Sequence, residues 1–470
     1  MARKSRSQRR RKGVGENSGT TSPDDADFLS ESHTIVSLNT ILTNSEDGGF
    51  SIDDDLDFDE GQHEDNAVRA AEIRQQKLAD ALVTTDEYLS EKRSAKRESI
   101  LRSWFRALSQ YATDETSYAL VEAKLSEIVR GCQFSVRSGT PSEQYAACRV
   151  LEVTAILMAD ESYFEKIYEN MLLRILRSNS RAVPVRIAAL RAIGMTVFIG
   201  VDDEVITEQV MDLCEEVAKE EYRGEKVPTS LREAALRVWC LLATTLHELY
   251  ISGKDDVSTG RGLILLPLLL ECLEQQEDLS LQSAAGECVA WIHTARLQLG
   301  VDDGDATERR YQLGSWEGSD WEDIMSEIEQ QMEVLSNQSG HYLSKKTKKK
   351  TREVFRELLS TIQENEPPLE VIQFRGGSLE LNSWQDIIAL NFVRRALQSG
   401  MQIQLLTNPT LQVIFGANGQ TLASNLGYSK VEKRLFLSKT SEVAKAKYLD
   451  RTKKRRNRAN VKNLFLTSDD

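Results

Sequence analysis

The strongest pattern of apolar and polar positions in this chain is a repeat between about residues 66 and 300. One hexapeptide pattern returns five times, with small or apolar residues at its centre and long polar residues at its ends, at 97–102, 144–149, 186–191, 232–237 and 282–287. The paired central positions, 99/100, 146/147, 188/189, 234/235 and 284/285, are separated by 47, 42, 46 and 50 residues.

This period matches the roughly 40 to 47 residues of HEAT and armadillo units, in which a helix pair buries its apolar face only against its neighbours. The hexapeptides then lie in the second helix of each pair, where small residues permit close helix approach. Apolar segments at 120–134, 164–176, 205–217 and 263–273 supply the first helices. Pro141, Pro184 and Pro228 precede second helices, and helix starts tolerate proline. We therefore expect an α-solenoid.

A column of arginines recurs with the same period, at Arg102, Arg149, Arg191 and Arg237. One hypothesis is a basic ladder on the concave face that grips phosphate or an acidic peptide. The other is an internal ladder that hydrogen-bonds acids and carbonyls of the adjacent repeat. We favour the internal ladder.

An acidic helix is predicted after a linker at 300–304. Its apolar stripe consists of Ile324, Ile328, Met332 and Leu335. We expect Trp316 and Trp321 to dock this helix on the solenoid rather than to stack on bases.

The charge then changes sign at a run of lysines, which forms a candidate secondary basic patch: Lys345, Lys346, Lys348, Lys349 and Lys350. A small α+β module follows. Its predicted elements are an amphipathic helix at 351–362, a β-hairpin of 371–374 with 378–381, a helix at 384–397 and a capped turn at Asn408 and Pro409.

Charge is segregated at the N-terminal end. Residues 1–12 hold seven cations and no acid, whereas residues 24–65 hold fourteen acids and no lysine or arginine. Such a composition predicts a disordered tail. The chain is thus a mainly α protein with five predicted regions: a disordered basic-then-acidic tail (1–65), HEAT/armadillo-like helical repeats (66–300), a linker and acidic helix (301–344), a small α+β C-terminal module (345–428) and a basic C-terminal helix or tail (429–470).

The second basic segment, 445–462, stands out in a chain whose net charge is −14. It carries nine cations against the single anion Asp450: Lys445, Lys447, Arg451, Lys453, Lys454, Arg455, Arg456, Arg458 and Lys462. No large apolar residue lies between Asp450 and Arg458, so a helix there has no stripe to bury. A solvated tail or nuclear-import signal is one interpretation. The other, which apolar residues on both flanks favour, is a nucleic-acid contact.

The C-terminal half carries a family resemblance. Residues 349–356, 379–384, 399–402, 408–415 and 441–458 together resemble the carboxy-terminal region of the interferon-related developmental regulator family, and the helical repeats resemble its amino-terminal domain. The resemblance spans roughly residues 66–465. It implies two partner classes: ribosomes held in a translationally inactive state, with the basic C-terminal helix in RNA-lined channels, and nuclear co-repressor complexes.

An enzyme is not expected. The sequence has no phosphate-binding glycine loop, nucleophile elbow or HExxH motif. Cys288 and His293 are five residues apart, which puts them off a common helix face, and His247 and His293 are expected to be hydrogen-bonded helix residues. We therefore predict no cofactor, no metal and no small-molecule substrate.

The cysteines and the apolar runs of the sequence indicate the cellular compartment of the protein. Six cysteines without a CxxC pair indicate reduced, buried thiols. The run at 263–270 is far shorter than a membrane span of about 20 residues. The sequence thus favours a non-catalytic adaptor of cytoplasm and nucleus that binds ribosomal RNA through 445–462 and restrains translation. The alternative is a nuclear scaffold that recruits a repressor through the repeat face.

Overall fold

A computed structural model describes residues 63–158, 160–254, 258–275, 278–301, 319–337, 345–374 and 377–416. Helices dominate this part of the chain. Those of the predicted repeat region are α1 (His63–Tyr88), α2 (Ser94–Tyr111), α3 (Glu115–Ser138), α4 (Pro141–Met158), α5 (Glu161–Ile167), α6 (Leu173–Leu176), α7 (Val183–Gly200), α8 (Glu204–Ala218), α9 (Thr229–Ala243), α10 (Glu248–Ser252), α11 (Arg261–Glu274) and α12 (Leu279–Val301).

The helices pair and stack as an α-solenoid, which confirms the predicted fold. A π-helical turn, Tyr168–Leu172, joins α5 to α6, and the two together act as one first helix. Each first helix (α1, α3, α5 with α6, α8 and α11) packs on the second helix that follows it. The second helices α2, α4, α7, α9 and α12 stack on one another in chain order and form a layer that we call the second-helix layer.

Capping aspartates and prolines mark the starts of several of these helices. Asp114 closes a capping box at the start of α3, and Asp160 and Asp203 accept backbone N–H groups at the starts of α5 and α8. Pro141 begins α4, and Pro228 is the N-cap of α9. Proline costs nothing at these positions because the first backbone N–H groups have no intrahelical acceptor.

The paired small residues are buried in four of the five repeats. The alanines at 146/147, 188/189, 234/235 and 284/285 are at most 6% exposed. The first pair differs, because Ser99 is exposed and Ile100 is only half-buried. Helix α2 buries the face that carries Leu101, Trp104 and Leu108 instead.

Two further helices, α13 (Ser319–Asn337) and α14 (Lys345–Glu364), extend the stack. The sequence predicted both helices but not their pairing. They pack against each other, with α13 on α11 and α14 on α12, so they form a sixth helix pair in the described part of the chain, and α14 joins the second-helix layer. The predicted stripe is confirmed, since Ile328, Met332 and Leu335 are buried and Ile324 packs half-buried against the core. The side chains of Trp316 and Trp321 lie outside the described residues.

In the described part of the chain, three antiparallel hairpins interrupt the helices. Two are short, β1 (Glu221–Tyr222) with β2 (Glu225–Lys226) and β3 (Gly253–Lys254) with β4 (Ser258–Thr259). The third is the hairpin predicted from the sequence, β5 (Glu370–Phe374) with β6 (Gly377–Leu381). Ile372 pairs with Leu379, and both side chains are buried. The turn residues Arg375 and Gly376 lie outside the described residues.

Residues 384–416 form a segment that we call the strap. It contains α15 (Trp384–Leu397), a 3-10 turn (Gln398–Gly400), α16 (Met401–Thr407) and α17 (Pro409–Ile414). The predicted helix at 384–397 and the cap at Asn408 are therefore confirmed. Helix α15 packs on α12, α9 and α4, and the 3-10 turn and α16 pack on α2. The strap thus crosses the second-helix layer in the direction opposite to the order of the repeats.

The core accounts for two further features of the sequence. By length and composition alone α7 could cross a membrane, but 72% of its span is buried inside the fold, which is the condition of a core helix. All six cysteines are buried and free of disulfides, as the sequence predicted. Burial raises the pKa of the Cys148 thiol to about 12, so this thiol is unreactive at neutral pH.

The repeat packing makes a testable prediction. Ala235→Leu should lower the free energy of unfolding by about 1 to 3 kcal/mol, because a larger side chain overpacks the fully buried contact between second helices. Urea unfolding of the purified protein measures the change. Ser99→Leu, at the exposed position of the first repeat that corresponds to Ala234, is the control and should have little effect. Equal stability of the Ala235→Leu variant and the wild type would refute the buried register.

Candidate functional site

The first residue of each repeated hexapeptide closes the end of a neighbouring helix. These side chains donate hydrogen bonds to carbonyls at the C-terminal end of the preceding first helix: Gln144 to Gly139 (2.8 Å), Arg186 to Leu176 (3.0 Å), Arg232 to Ala218 (2.6 Å) and Gln282 to Leu273 (2.8 Å). In the first repeat, Arg97 donates to the carbonyls of Glu91 and Lys92, which follow α1. Helix ends leave such carbonyls without intrahelical partners, so this position holds each helix pair together.

The arginine column at the other end of the hexapeptide forms an internal ladder over most of its length. Arg191 lies 3.7 Å from Glu233, and Arg237 pairs with both Glu233 and Glu287, at 2.8 Å from the latter. Arg149 pairs with Glu152 on its own helix. Side chains of these three arginines are at most 11% exposed, which confirms the internal-ladder prediction and contradicts a phosphate-gripping face.

Arg102 does not belong to this ladder. It pairs with Glu98 on the same helix at 2.5 Å, and its side chain is 47% exposed. This difference accompanies the altered buried face of α2, on which Ser99 is exposed and Ile100 is only half-buried.

Arg149 and Arg395 attach the strap to the second-helix layer. Arg149 donates to the backbone carbonyls of Arg395 and Ala396, at 3.0 and 3.1 Å, in the last turn of α15. Arg395 in return donates to the Glu152 carboxylate at 3.0 Å. A guanidinium at a helix C-terminus satisfies orphan carbonyls and meets the negative end of the helix dipole.

The electrostatics of this junction centre on Glu152, which is fully buried. Burial by itself would raise its pKa, but the guanidinium groups of Arg149, Arg395 and Arg191 outweigh that effect and hold the pKa below its ordinary value of 4.5. Burial and the neighbouring Arg191 lower the pKa of Arg395. Glu152 therefore compensates Arg149 and Arg395 at a fully buried position, and Glu233 contributes a second negative charge near Arg191 and Arg395.

The second half of the strap is attached by uncharged groups. Gln404 donates to the carbonyls of Ser109 and Ala112, at 3.3 and 2.7 Å, where α2 ends. Asn408 donates to the carbonyl of Ile156 near the end of α4, at 3.2 Å. A Cβ on Gly400 would collide with the carbonyl oxygen of Ser109, so only glycine permits this approach of the two backbones.

The beginning of the strap lies against later helices. Gln385 donates to the carbonyl of Thr244 at the end of α9 (3.0 Å), and the Trp384 indole donates to the Thr361 hydroxyl of α14 (3.2 Å). Arg394 bonds Glu370 of β5 at 3.1 Å, which ties the hairpin to α15. The strap thus covers the face on which the sequence placed the candidate ladder.

The residues predicted to bind RNA fall largely outside this description. Residues 1–62 and 417–470 are not among the described residues, and they include the cations of 445–462 and all of the predicted disordered tail except 63–65, which begin α1. The five lysines of the secondary basic patch occupy the first two turns of α14, but their side chains are not described. The chain leaves the described part at Gly416, just after α17.

Sequence reasoning singled out Arg149 for the arginine column but not as a strap anchor, and it missed the anchors Glu152, Arg395 and Gln404. A signal was present, because Ser399, Gly400 and Asn408 belong to the motifs that carry the family resemblance. Motifs alone do not say what a glycine or an asparagine touches.

The histidines whose side chains the structure describes, His247 and His293, show no catalytic or metal-binding arrangement. Nε2 of His293 lies 3.0 Å from Oδ1 of Asn365, and Nδ1 of His247 accepts the N–H of Leu249 at 3.2 Å. Both are hydrogen-bonded as predicted, although His247 lies just before α10 rather than inside a helix. Within the described residues, no group of three or more histidine, cysteine, aspartate or glutamate side chains could hold a metal ion.

Comparison with known proteins gives a consistent result. Residues 43–363 match the family model "Interferon-related developmental regulator (IFRD)", a range that contains all of α1 to α13 and most of α14. The chain is 26% identical over 389 residues to interferon-related developmental regulator 1 of Rattus norvegicus, covering 79% of this chain and 80% of the relative. It is 24% identical over 411 residues to interferon-related developmental regulator 2 of Mus musculus, covering 83% and 84%. These names describe a regulator and mention no reaction.

The close approach at Gly400 yields a prediction. Gly400→Ala should release the second half of the strap, because the new methyl group meets backbone rather than a side chain that can move. Amide hydrogen exchange of peptides from 398–416 should become faster, while peptides from α7 keep their protection. Thr410→Ala, at an exposed strap position, is the control and should exchange like the wild type. Unchanged exchange in the Gly400→Ala variant would rule out the close contact.

The buried junction yields a second prediction. Glu152→Gln should lower the free energy of unfolding by about 3 to 5 kcal/mol, because it leaves Arg149 and Arg395 buried without their shared anion. Urea unfolding at pH 7 measures the loss, and Glu122→Gln, on the exposed side of α3, should have almost no effect.

The pH dependence of this loss follows from the lowered pKa of Glu152. Its stabilisation is present above the ordinary pKa of 4.5 and disappears as the pH falls through the lowered value. The difference between the wild type and Glu152→Gln should therefore shrink in acid. A difference that grows in acid would contradict the assignment.

Proposed function

The chain belongs to the interferon-related developmental regulator family, and on this premise we propose that it is a non-catalytic adaptor that binds ribosomes through ribosomal RNA and restrains translation. The proposed main contact is the basic segment 445–462, with the lysines at the start of α14 as a secondary contact. Cytoplasm and nucleus are the proposed compartments.

The internal pairing of the arginine ladder is the observation that carries this proposal. The second-helix face is the surface that a solenoid commonly offers to a ligand. Here Arg149, Arg191 and Arg237 form ion pairs with buried glutamates, and the strap lies over the helix layer that contains these arginines. Phosphate recognition then falls to cations elsewhere in the chain.

The composition of 445–462 suits that role. Nine cations with one anion give a charge density that can neutralise several phosphates together. This segment belongs to a chain of net charge −14, so a general attraction to polyanions is not expected from the rest of the molecule. The contact with RNA is therefore expected to be local.

The secondary basic patch offers a further argument. Its five lysines stand at the N-terminal end of α14, and the first turn contains no acid. Cations at this end of a helix oppose the positive end of the helix dipole, at a cost of about 0.3 to 1 kcal/mol for each. A phosphate backbone placed there would relieve the cost, so the patch suits a secondary RNA contact.

A nuclear scaffold that recruits a repressor through the repeat face is the alternative. In that case 445–462 serves as an import signal. The strap weighs against it, because a partner of the second-helix face must first displace a segment that is held by buried hydrogen bonds. Sedimentation of cell lysate with and without ribonuclease separates the two, and absence from ribosomal fractions at low salt would favour the scaffold.

The central prediction concerns Lys453, Lys454, Arg455, Arg456 and Arg458. Replacing all five with glutamine should weaken binding to purified ribosomes and flatten the slope of log K against log salt by about 3 to 5 units, because each phosphate contact contributes about 0.7 to 0.9. A filter-binding series over salt concentration measures both effects.

The matched control exchanges lysine and arginine at the same five positions, which keeps the charge and should keep the salt slope. An unrelated import signal fused to the N-terminus distinguishes the two roles of 445–462, a nuclear-import signal and an RNA-binding segment. Should this fusion restore full cellular function to the five-glutamine variant while its ribosome affinity in vitro equals that of the wild type, the segment is an import signal.

A further inference from the structure

The strap begins at a point where two second helices approach closely. Gly286 of α12 faces α14 so tightly that a Cβ would lie 2.7 Å from a methyl group of Leu358. Glu287 follows Gly286 on α12, Glu357 precedes Leu358 on α14, and the negative charge of Glu287 acts on the Glu357 carboxyl. Phe355, which is fully buried, closes the apolar side of the contact.

A third carboxylate, Glu370 of β5, also acts on Glu357 through its negative charge. It is 3% exposed, and its Oε1 accepts a hydrogen bond from Arg394 of α15 at 3.1 Å. The Trp384 indole bonds the Thr361 hydroxyl one turn after Glu357, and that hydroxyl also donates to the carbonyl of Glu357. The start of the strap therefore contacts α14 one turn after Glu357, through Trp384 and Thr361.

The three carboxylates differ in their partners. Glu287 is paired with Arg237 at 2.8 Å, and Glu370 is paired with Arg394. Among the described residues, Glu357 forms no ion pair, and its Oε2 is buried without a hydrogen bond. Glu357 is therefore a carboxyl group without a guanidinium partner among the described residues, and it lies on the helix that Trp384 of the strap contacts.

We infer that docking of the strap and hairpin on α14 is a proton-dependent latch, which is closed while Glu357 is protonated and loosened when Glu357 ionises. A neutral carboxyl at this position is not repelled by Glu370 and Glu287, whereas a third negative charge is repelled by both, and its buried Oε2 has no hydrogen bond to stabilise it. Undocking returns Glu357 to solvent. The inference concerns the fold of this chain and does not depend on ribosome binding.

The direction of the pH dependence follows from burial. Burial, reinforced by the charges of Glu370 and Glu287, raises the pKa of Glu357 from 4.5 to about 7. An acid whose pKa is higher in the docked state than in the released state favours docking at low pH. The advantage is complete below the ordinary pKa of 4.5 and is lost as the pH rises to about 7, above which it stays lost.

Other charged groups around Glu357 do not reproduce this response. Helix α9 contributes Arg237, and α12 contributes His293, whose pKa burial lowers from 6.5, so that it is uncharged near neutrality. Glu329 and Glu333 of α13 face Gln363 at the exposed end of α14. Arg237 and Arg394 keep their charge throughout the neutral range.

Amide hydrogen exchange of the full chain, corrected for the intrinsic pH dependence of exchange, tests the latch. Strap peptides from 384–416 should be less protected at pH 8 than at pH 6, by up to about tenfold, which is what a pKa change from 4.5 to about 7 permits over this interval. In Glu357→Gln, a neutral side chain of the same shape, this change should vanish and protection at pH 8 should rise. Peptides from α7 should respond equally at both pH values.

Glu364→Gln removes an exposed carboxylate from the same helix and should keep the wild-type pH response. Three outcomes would overturn the latch: strap protection in the wild type that does not change with pH, an equal change in α7 that marks a global effect, or an undiminished response in Glu357→Gln. The wild-type series decides the matter even if the Glu357→Gln variant does not fold. None of these readouts involves ribosomes, so the latch and the proposed function can fail separately.

Discussion

Helix ends buried inside a stack of helices impose the constraint on which this structure depends. Carbonyls at a helix C-terminus have no partner within the helix, and inside a core they cannot bond water. The chain meets the need with one device, a long amide or guanidinium side chain from a neighbouring helix. The carbonyls at the ends of first helices accept hydrogen bonds from Gln144, Arg186, Arg232 and Gln282. The contacts of the strap use the same type of bond, donated by Arg149, Gln385, Gln404 and Asn408.

The same constraint explains what could be predicted from the sequence. The capping side chains must recur with the repeat, so the hexapeptides were visible, and with them the α-solenoid and the internal arginine ladder. The amphipathic stripes of α13 and α14 were equally visible. Their pairing was not, because 302–318 and 338–344 lengthen the spacing and hide the period.

The attachment of the strap could not be predicted from the sequence for a different reason. Its contacts join positions such as Arg149 and Arg395, which are 246 residues apart and share no local pattern. Glu152 gives no sequence signal that distinguishes it from a surface glutamate, since its neighbours, not its own segment, set its environment. For the candidate RNA-binding residues, sequence remains the whole basis, because 445–462 lie outside the described residues.

The reversed course of the strap changes the kind of cooperativity open to this solenoid. An open array of repeats behaves as a one-dimensional chain, in which terminal units can fray while the others stay folded. Here the last described helices rest on α2 and α4, so fraying of the N-terminal pairs also breaks contacts made by residues almost 300 positions later. Long-range closure of this type raises contact order and slows folding. During synthesis, the first helix pairs lack their contacts with the strap until the strap has emerged from the ribosome. Only then can the N-terminal and C-terminal ends of the repeat array pack together.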